Sequence, residues 1–226
     1  MIVANSIESS AAMPGPLGGE ELRGAQRFKT LLRTAKLIGL TGEFLAVIRD
    51  VSDTGLKLKL FHPVPEERMA LELADGSHFF VEKVWEHESE AGFRFSAPIE
   101  VASFLTVLGR KDEGRIWLNA RIPGILTVGD IRIGMTISSL SRHGADLESG
   151  VLLGIGHPVV LSGDGFPQIW ARIGQIHSSH YRVEFENVMR LDDLAQILWA
   201  APRQETVSCA PLRSSRIRAA SRTRSA

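Results

Sequence analysis

The chain has 226 residues, 44% of them hydrophobic and 23% charged, with a formal net charge of zero. That length suits one large domain or two small ones, and the composition is that of an ordinary globular protein. The zero hides an asymmetry: residues 203–226 hold six arginines and one glutamate, whereas the other 202 residues carry 20 basic and 25 acidic side chains. A slightly acidic body gives no reason to expect duplex nucleic acid as the main partner, and the basic tail suits acidic partners. The single cysteine, Cys209, excludes an intrachain disulfide and fits a reducing compartment. No stretch reaches the roughly 18 consecutive apolar residues of a membrane span. The start, Met-Ile-Val-Ala-Asn, has neither a basic nor an apolar signal region, so a cytoplasmic location is expected.

In chain order, residues 1–20 are rich in Ser, Ala, Pro and Gly and read as a flexible leader. From about residue 29, short apolar segments alternate with turn signals: Phe44 to Ile48, Leu56 to Leu60, Met69 to Leu73, Phe79 to Trp85 and Gly92 to Phe95. Asp75-Gly76 is a hairpin signal between two of them. Close spacing of short strands without helical period predicts a small β-barrel or sandwich. Ile99 to Leu108 reads as one short helix closing the unit, and Gly109 to Gly114 as a linker.

The second half repeats this plan. Ser52 and Gly55 match Ser141 and Gly144 at an offset of 89 residues, and Phe95 matches Phe185 at an offset of 90. The helix at 99–108 has its counterpart at 191–200. The expected fold is therefore mainly β, with two similar domains in tandem, each followed by a short helix. The boundaries read as 21–109 and 110–202, and residues 203–226 as a disordered basic tail.

Two motifs carry chemistry. Arg23-Gly24-Ala25-Gln26-Arg27 is an R-x-x-x-R pair just before the first strand, and Asp50-Val51-Ser52-Asp53-Thr54-Gly55 is a D-x-S-x-x-G turn between two strands. Each alone is ordinary, because arginines favour surfaces and Asp, Ser and Gly favour turns. Together they suit a phosphorylated purine. A guanidinium is planar and permanently charged, so it clamps phosphate or the O6/N7 edge of guanine. A carboxylate accepts from guanine N1–H and N2–H₂, serine adds a hydroxyl, and glycine lets a flat base approach.

With both motifs complete and in order, and with Trp85 and Gly92-Phe93-Arg94-Phe95 in later strands, the sequence resembles the PilZ family of cyclic di-GMP receptors. The resemblance covers about 23–108 well and 111–200 weakly. It implies six-stranded PilZ-like β-barrels and a ligand, cyclic di-GMP, held in the first of them. Arg23 and Arg27 would hold phosphate and guanine, and Asp50, Ser52 and Gly55 would form the base-binding surface. It implies no cofactor, and an output passed to a protein partner of undefined identity.

The second copy departs from the pattern. Ser139 stands in the place of Asp50, and the nearest match to the arginine pair is Lys111 to Arg115. A degenerate barrel without tight binding of its own is expected. Leu22 before the arginine pair, beside Glu20 and Glu21, argues for one ligand per chain rather than an intercalated pair. The cations that remain nearby are Arg33 and Lys36 on the first strand.

The seven histidines form no H-x-x-x-H or H-E-x-x-H pair for zinc, and His177 and His180 read as lying on opposite faces of one strand. The glycines at 154, 156, 163 and 165 lack the Lys-Ser/Thr of a phosphate loop. No catalytic constellation stands out, so the leading expectation is a receptor, not an enzyme. The alternatives are a structural or protein-interaction barrel with vestigial motifs, and nucleic-acid or acidic-membrane binding through the tail.

Overall fold

The computed structural model describes residues 28–109 and 115–201. The leader, Arg23, Arg27, Lys111 and the tail with Cys209 lie outside these residues. Twelve strands form two closed barrels. The first is built from β1 (Phe28–Ile38), β2 (Glu43–Val51), β3 (Gly55–Leu60), β4 (Arg68–Glu72), β5 (His78–His87) and β6 (Glu90–Phe95), followed by α1 (Val101–Gly109). The second comprises β7 (Leu118–Val128), β8 (Ile131–Leu140), β9 (Gly144–Ser149), β10 (Pro158–Gly163), β11 (Phe166–His177), β12 (His180–Phe185) and α2 (Leu191–Ala200). All pairs are antiparallel, and the strand order β1-β2-β3-β6-β5-β4 recurs as β7-β8-β9-β12-β11-β10. The expected tandem of barrels, each with its helix, is the observed architecture.

Alternation makes the barrels. In β3, Leu56, Leu58 and Leu60 are buried while Lys57 and Lys59 face outward, the period of two that a one-sided strand requires. The strand β1 closes the first barrel on β4, with Lys36 opposite Glu72 and Leu37 opposite Leu71. At the hairpin of β4 and β5, Gly76 adopts φ +84°, and Asp75 Oδ1 accepts from the Ser77 amide at 3.0 Å. The helix α1 seats Phe104 against Phe79 and Phe95, with ring centroids 5.2 and 6.0 Å away. Burying one such ring stabilises the cap by about 1.5–3 kcal/mol.

Continuous burial in Leu45-Ala46-Val47-Ile48 breaks the alternation for a reason. Ala46 and Ile48 belong to the first core, whereas Leu45 packs with the second barrel's core, joined by Phe61 and Ala74. Beside them, Lys36 Nζ donates to the Trp117 carbonyl at 3.1 Å and pairs with Glu43 at 3.3 Å and Glu72 at 3.1 Å. The Glu43 carboxylate accepts from Asn119 N at 2.7 Å and Asn119 Nδ2 at 2.8 Å. Farther along, His62 Nε2 donates to the Ala195 carbonyl at 3.2 Å and its ring stacks on Trp199 at 4.3 Å. Lys36, read from the sequence as a cation near the ligand, is therefore buried between the barrels and engaged there.

His177 and His180 also differ from their reading. They face each other as the closing pair of the β11–β12 hairpin, because Ser178 adopts φ 57° and turns the chain between them.

Candidate functional site

In the first barrel the D-x-S-x-x-G segment is the turn from β2 to β3. The Ser52 amide donates to the Gly55 carbonyl at 2.8 Å, and the Ser52 hydroxyl both donates to that carbonyl and accepts from the Gly55 amide, each at 3.1 Å. Gly55 does not need a positive φ. It needs the absence of a side chain, since a Cβ there would fall 2.8 Å from the Phe93 carbonyl oxygen. The second barrel builds the same turn, with Ser141 Oγ donating to the Gly144 carbonyl at 3.1 Å and a Cβ on Gly144 falling 2.2 Å from the Val183 carbonyl. Ser52 and Gly55, like Ser141 and Gly144, thus build the turn itself, and Asp50 is the member of the first motif whose side chain is not used in it.

Cross-strand pairing places Asp50 beside Lys57, Lys57 beside Gly92, and Gly92 beside Trp85. This row crosses β2, β3, β6 and β5 and, with Arg94, lines a cavity of about 280 Å³. Gly92 is the seat of the indole: a Cβ there would fall 2.0 Å from Trp85 Nε1. The ring lies against the strand with 44% of the residue exposed. Arg94 donates to Glu82 Oε2 at 2.8 Å, and that bond with the guanidinium charge holds the Glu82 carboxyl below the usual carboxylate range. Trp85 and Arg94 were noted in the sequence only as strand residues. Lys57 was not singled out, and only register reveals its place.

The described start of β1 fixes where the preceding chain arrives. Phe28 pairs with Val51 and Lys29 with Asp50, so the polypeptide enters the barrel alongside the motif turn.

The second barrel fills the same row with its own charges. Asn119 pairs with Ser139, Ser139 with Asp146, Asp146 with Arg182, and Arg182 with Gln175. Arg182 takes the place of Gly92, and Gln175 that of Trp85. The guanidinium forms a two-pronged pair with Asp146 at 2.7 and 2.8 Å, and Ser139 Oγ donates to the same carboxylate at 2.9 Å. The Trp117 ring covers Arg182 at 4.5 Å. Leu118 opposite Leu140 answers to Phe28 opposite Val51, so the counterpart of Arg27 is Trp117. The match of Lys111 and Arg115 to the arginine pair is therefore out of register by two residues: it stands at an offset of 88, whereas β7 follows β1 at an offset of 90.

Burial pushes the Asp146 carboxyl up, but the hydrogen bonds from Arg182 and Ser139 outweigh it and leave the group below its ordinary 3.8. A lowered folded-state value means that the stabilisation is complete above the ordinary value and is lost as pH falls through the folded one. The thermal-stability difference between the wild type and Asp146→Asn should be present at neutral pH and shrink as pH drops below about 3.8. Melting curves at stepped pH check this, and a difference that persists unchanged in acid would count against it.

Gly92→Ala should displace the Trp85 indole, lower affinity for the nucleotide expected from the sequence, and leave melting temperature nearly unchanged. Its effect on affinity should be non-additive with Trp85→Ala, because both act on one ring. Additive losses in calorimetric titration would disprove this seat.

Among the described residues, no helix is long and apolar enough to cross a membrane, and no group of three His, Cys, Asp or Glu is placed to hold a metal ion.

No family model matches the sequence, and neither does any curated protein. Among solved structures, the chain is similar to Borreliella burgdorferi PlzA in complex with c-di-GMP, at 14% identity over 78% of this chain and 93% of that one, with a TM-score of 0.32. It is similar to the Bacillus subtilis inhibitor of motility MotI/DgrA at 13% identity, over 74% and 92% of the two chains, with a TM-score of 0.31. Escherichia coli YcgR in complex with c-di-GMP matches at 11% identity over 73% and 81%, with a TM-score of 0.28. These likenesses are distant.

Proposed function

We propose that the chain is a cytoplasmic, non-catalytic receptor for cyclic di-GMP, which binds at the first barrel and passes the signal to a partner protein. The observation that carries this reading is the row Asp50–Lys57–Gly92–Trp85 beside the motif turn, where β1 begins at Phe28, directly after the arginine pair in sequence.

The chemistry fits a guanine base on a phosphodiester ring. The Asp50 carboxylate accepts from N1–H and N2–H₂. The exposed Trp85 face offers a stacking surface worth about 1–3 kcal/mol per base. At the rim Lys57 pairs with Glu90 at 2.6 Å and Arg94 with Glu82 at 2.8 Å, so the positive charge for the phosphates falls to the arginine pair. A cavity of about 280 Å³ is at the small end for ligand pockets (roughly 300–1,000 Å³) and suits one base rather than the whole dinucleotide. The phosphates then lie outward, where Arg23 and Arg27 meet them. Bound ligand joined to that segment changes the surface seen by a partner, and coupling follows if the partner prefers one of the two states.

The second barrel contributes structure to the receptor, because Arg182, Asp146 and Trp117 already satisfy one another where the ligand would sit. Calorimetric titration of the full chain with cyclic di-GMP is expected to saturate at one equivalent. Absence of binding would favour a structural or protein-interaction barrel, and two equivalents would refute the single site.

A further inference from the structure

The two barrels share a backbone plan at the end where the motif turn meets the helix, but they differ there in charge. In the first barrel, the Ile99 amide donates to the Asp53 carbonyl at 2.8 Å and the Phe95 amide to the Thr54 carbonyl at 2.9 Å. In the second, the Met189 amide donates to the Arg142 carbonyl and the Phe185 amide to the His143 carbonyl, both at 2.8 Å. Arg142 therefore stands in the place of Asp53, and His143 in that of Thr54. The helices repeat the change. The Phe104 amide donates to the Glu100 carbonyl at the start of α1, and the Leu194 amide to the Arg190 carbonyl at the start of α2. Asp53, Thr54 and Glu100 thus give way to two arginines and a histidine.

A further cation comes from outside the turn. Arg115, just before β7, brings Nη1 to 3.8 Å from Glu184 Oε1, and Glu184 is the cross-strand partner of Gly144. The Arg115 side chain therefore lies over the turn that holds Arg142 and His143. Arg142 is fixed in place, because its Nε donates to the Met189 carbonyl at 3.0 Å. Its two Nη groups have no partner among the described residues. The His143 ring is partly buried and also makes no hydrogen bond among the described residues. Burial, followed by the charges of Arg115 and Arg142, holds this imidazole below its ordinary 6.5. The carboxylates nearby do not close the cluster. The Glu184 side chain is 63% exposed, Asp192 lies 4.0 Å from Lys59, and Asp193 is exposed.

We propose that Arg115, Arg142 and His143 form a binding site for a phosphomonoester group at the motif turn of the second barrel. Two guanidiniums and an imidazole offer several donors to one anion, and charge-assisted bonds of this kind are the strong ones. Gathering basic groups is unfavourable by itself, and an anion between them reverses the sign of that interaction. The ligand is not a guanine nucleotide held as in the first barrel, because Arg182 and Asp146 already fill the row on which a base would lie. The inference does not depend on the nucleotide reading, since none of its residues belongs to the first barrel.

NMR of the histidine-labelled full chain tests it, with inorganic phosphate titrated against chloride at constant ionic strength. The His143 ring signal, assigned by its loss in His143→Thr, should shift and saturate with phosphate, while that of His78 on the first barrel stays in place. Arg115→Gln and Arg142→Gln should each weaken phosphate binding at least tenfold. Arg132→Gln, beside the β7–β8 hairpin at the other end of the barrel, and Asp50→Ala should both match the wild type. Arg115 is exposed, so its variant carries the test if Arg142→Gln is misfolded. Vesicles of phosphatidic acid in phosphatidylcholine identify the source of the phosphate. Co-sedimentation that Arg115→Gln abolishes assigns a lipid headgroup, and phosphate binding without it assigns a soluble ligand. A His143 signal that moves no more with phosphate than with chloride overturns the proposal, as does wild-type affinity in either folded arginine variant.

Discussion

Replacing Arg27 by alanine is expected to weaken cyclic di-GMP binding at least tenfold, with Asp50→Ala lowering both affinity and preference for guanine. A hydrogen bond to a charged group contributes about 1.5–3 kcal/mol, and every 1.4 kcal/mol is a factor of ten. Arg27 immediately precedes Phe28 in sequence, and Phe28 pairs with Val51 at the motif turn. Asp50 sits in the row that ends at the Trp85 indole and is the carboxylate that lines the same cavity. Its loss leaves stacking intact and removes the acceptor for N1–H and N2–H₂, so the wild type should prefer cyclic di-GMP to cyclic di-AMP and the variant should not. Calorimetry with both nucleotides measures this. Equal affinity of the wild type for the two, or wild-type affinity in Arg27→Ala, would sink the proposed site.

The largest effect on stability is expected from Lys36→Met. The Lys36 and Glu43 side chains are 9% and 7% exposed, and Glu72 is 21% exposed. Breaking a buried ionic group by removing one partner costs about 3–5 kcal/mol, because the remaining charges stay desolvated. Here Glu43 keeps its two Asn119 donors and Glu72 keeps His78 at 2.9 Å, which argues for the lower end, about 3 kcal/mol. At roughly 2–4 °C per kcal/mol for a chain of this size, the melting temperature should fall by about 6–12 °C. Adding Glu43→Gln should cost less in the Lys36→Met background than alone, since it removes an orphaned charge. Scanning calorimetry on the three variants decides it, and a drop under about 2 °C for Lys36→Met would show the network to be energetically idle.

The barrels were legible because their cause is local. Leu56, Leu58 and Leu60 alternate with lysines, Asp75-Gly76 marks a hairpin, and the repeated Ser and Gly of the turns keep their spacing in both halves. The site was legible only in part. Asp50 belongs to a contiguous motif, but Lys57, Gly92 and Trp85 join it through strand register, and β-bulges at Ile48/Asp50 and Lys83/Trp85 displace that register by a residue. The same limit hid Trp117 behind a plausible Lys111/Arg115 pair. It also hid the fate of Lys36, which reads as a surface cation until the second barrel is placed against it. Charged residues at a joint between domains carry no periodic signature, because their partners are set by packing at long range.

The bond from Asn119 to Glu43 also bears on the order in which the molecule comes together. The first barrel closes through pairs between β1 and β4 and needs nothing downstream, so it can be complete while β7 is still being synthesised. If the first barrel forms first, Lys36 and Glu43 present a donor and an acceptor to Trp117 and Asn119 as these are synthesised, before the partner strands of β7 exist. The first barrel would then serve as an intramolecular template for the second. A circular permutant with the barrels in reverse order would retain every contact of the folded molecule and lose that head start.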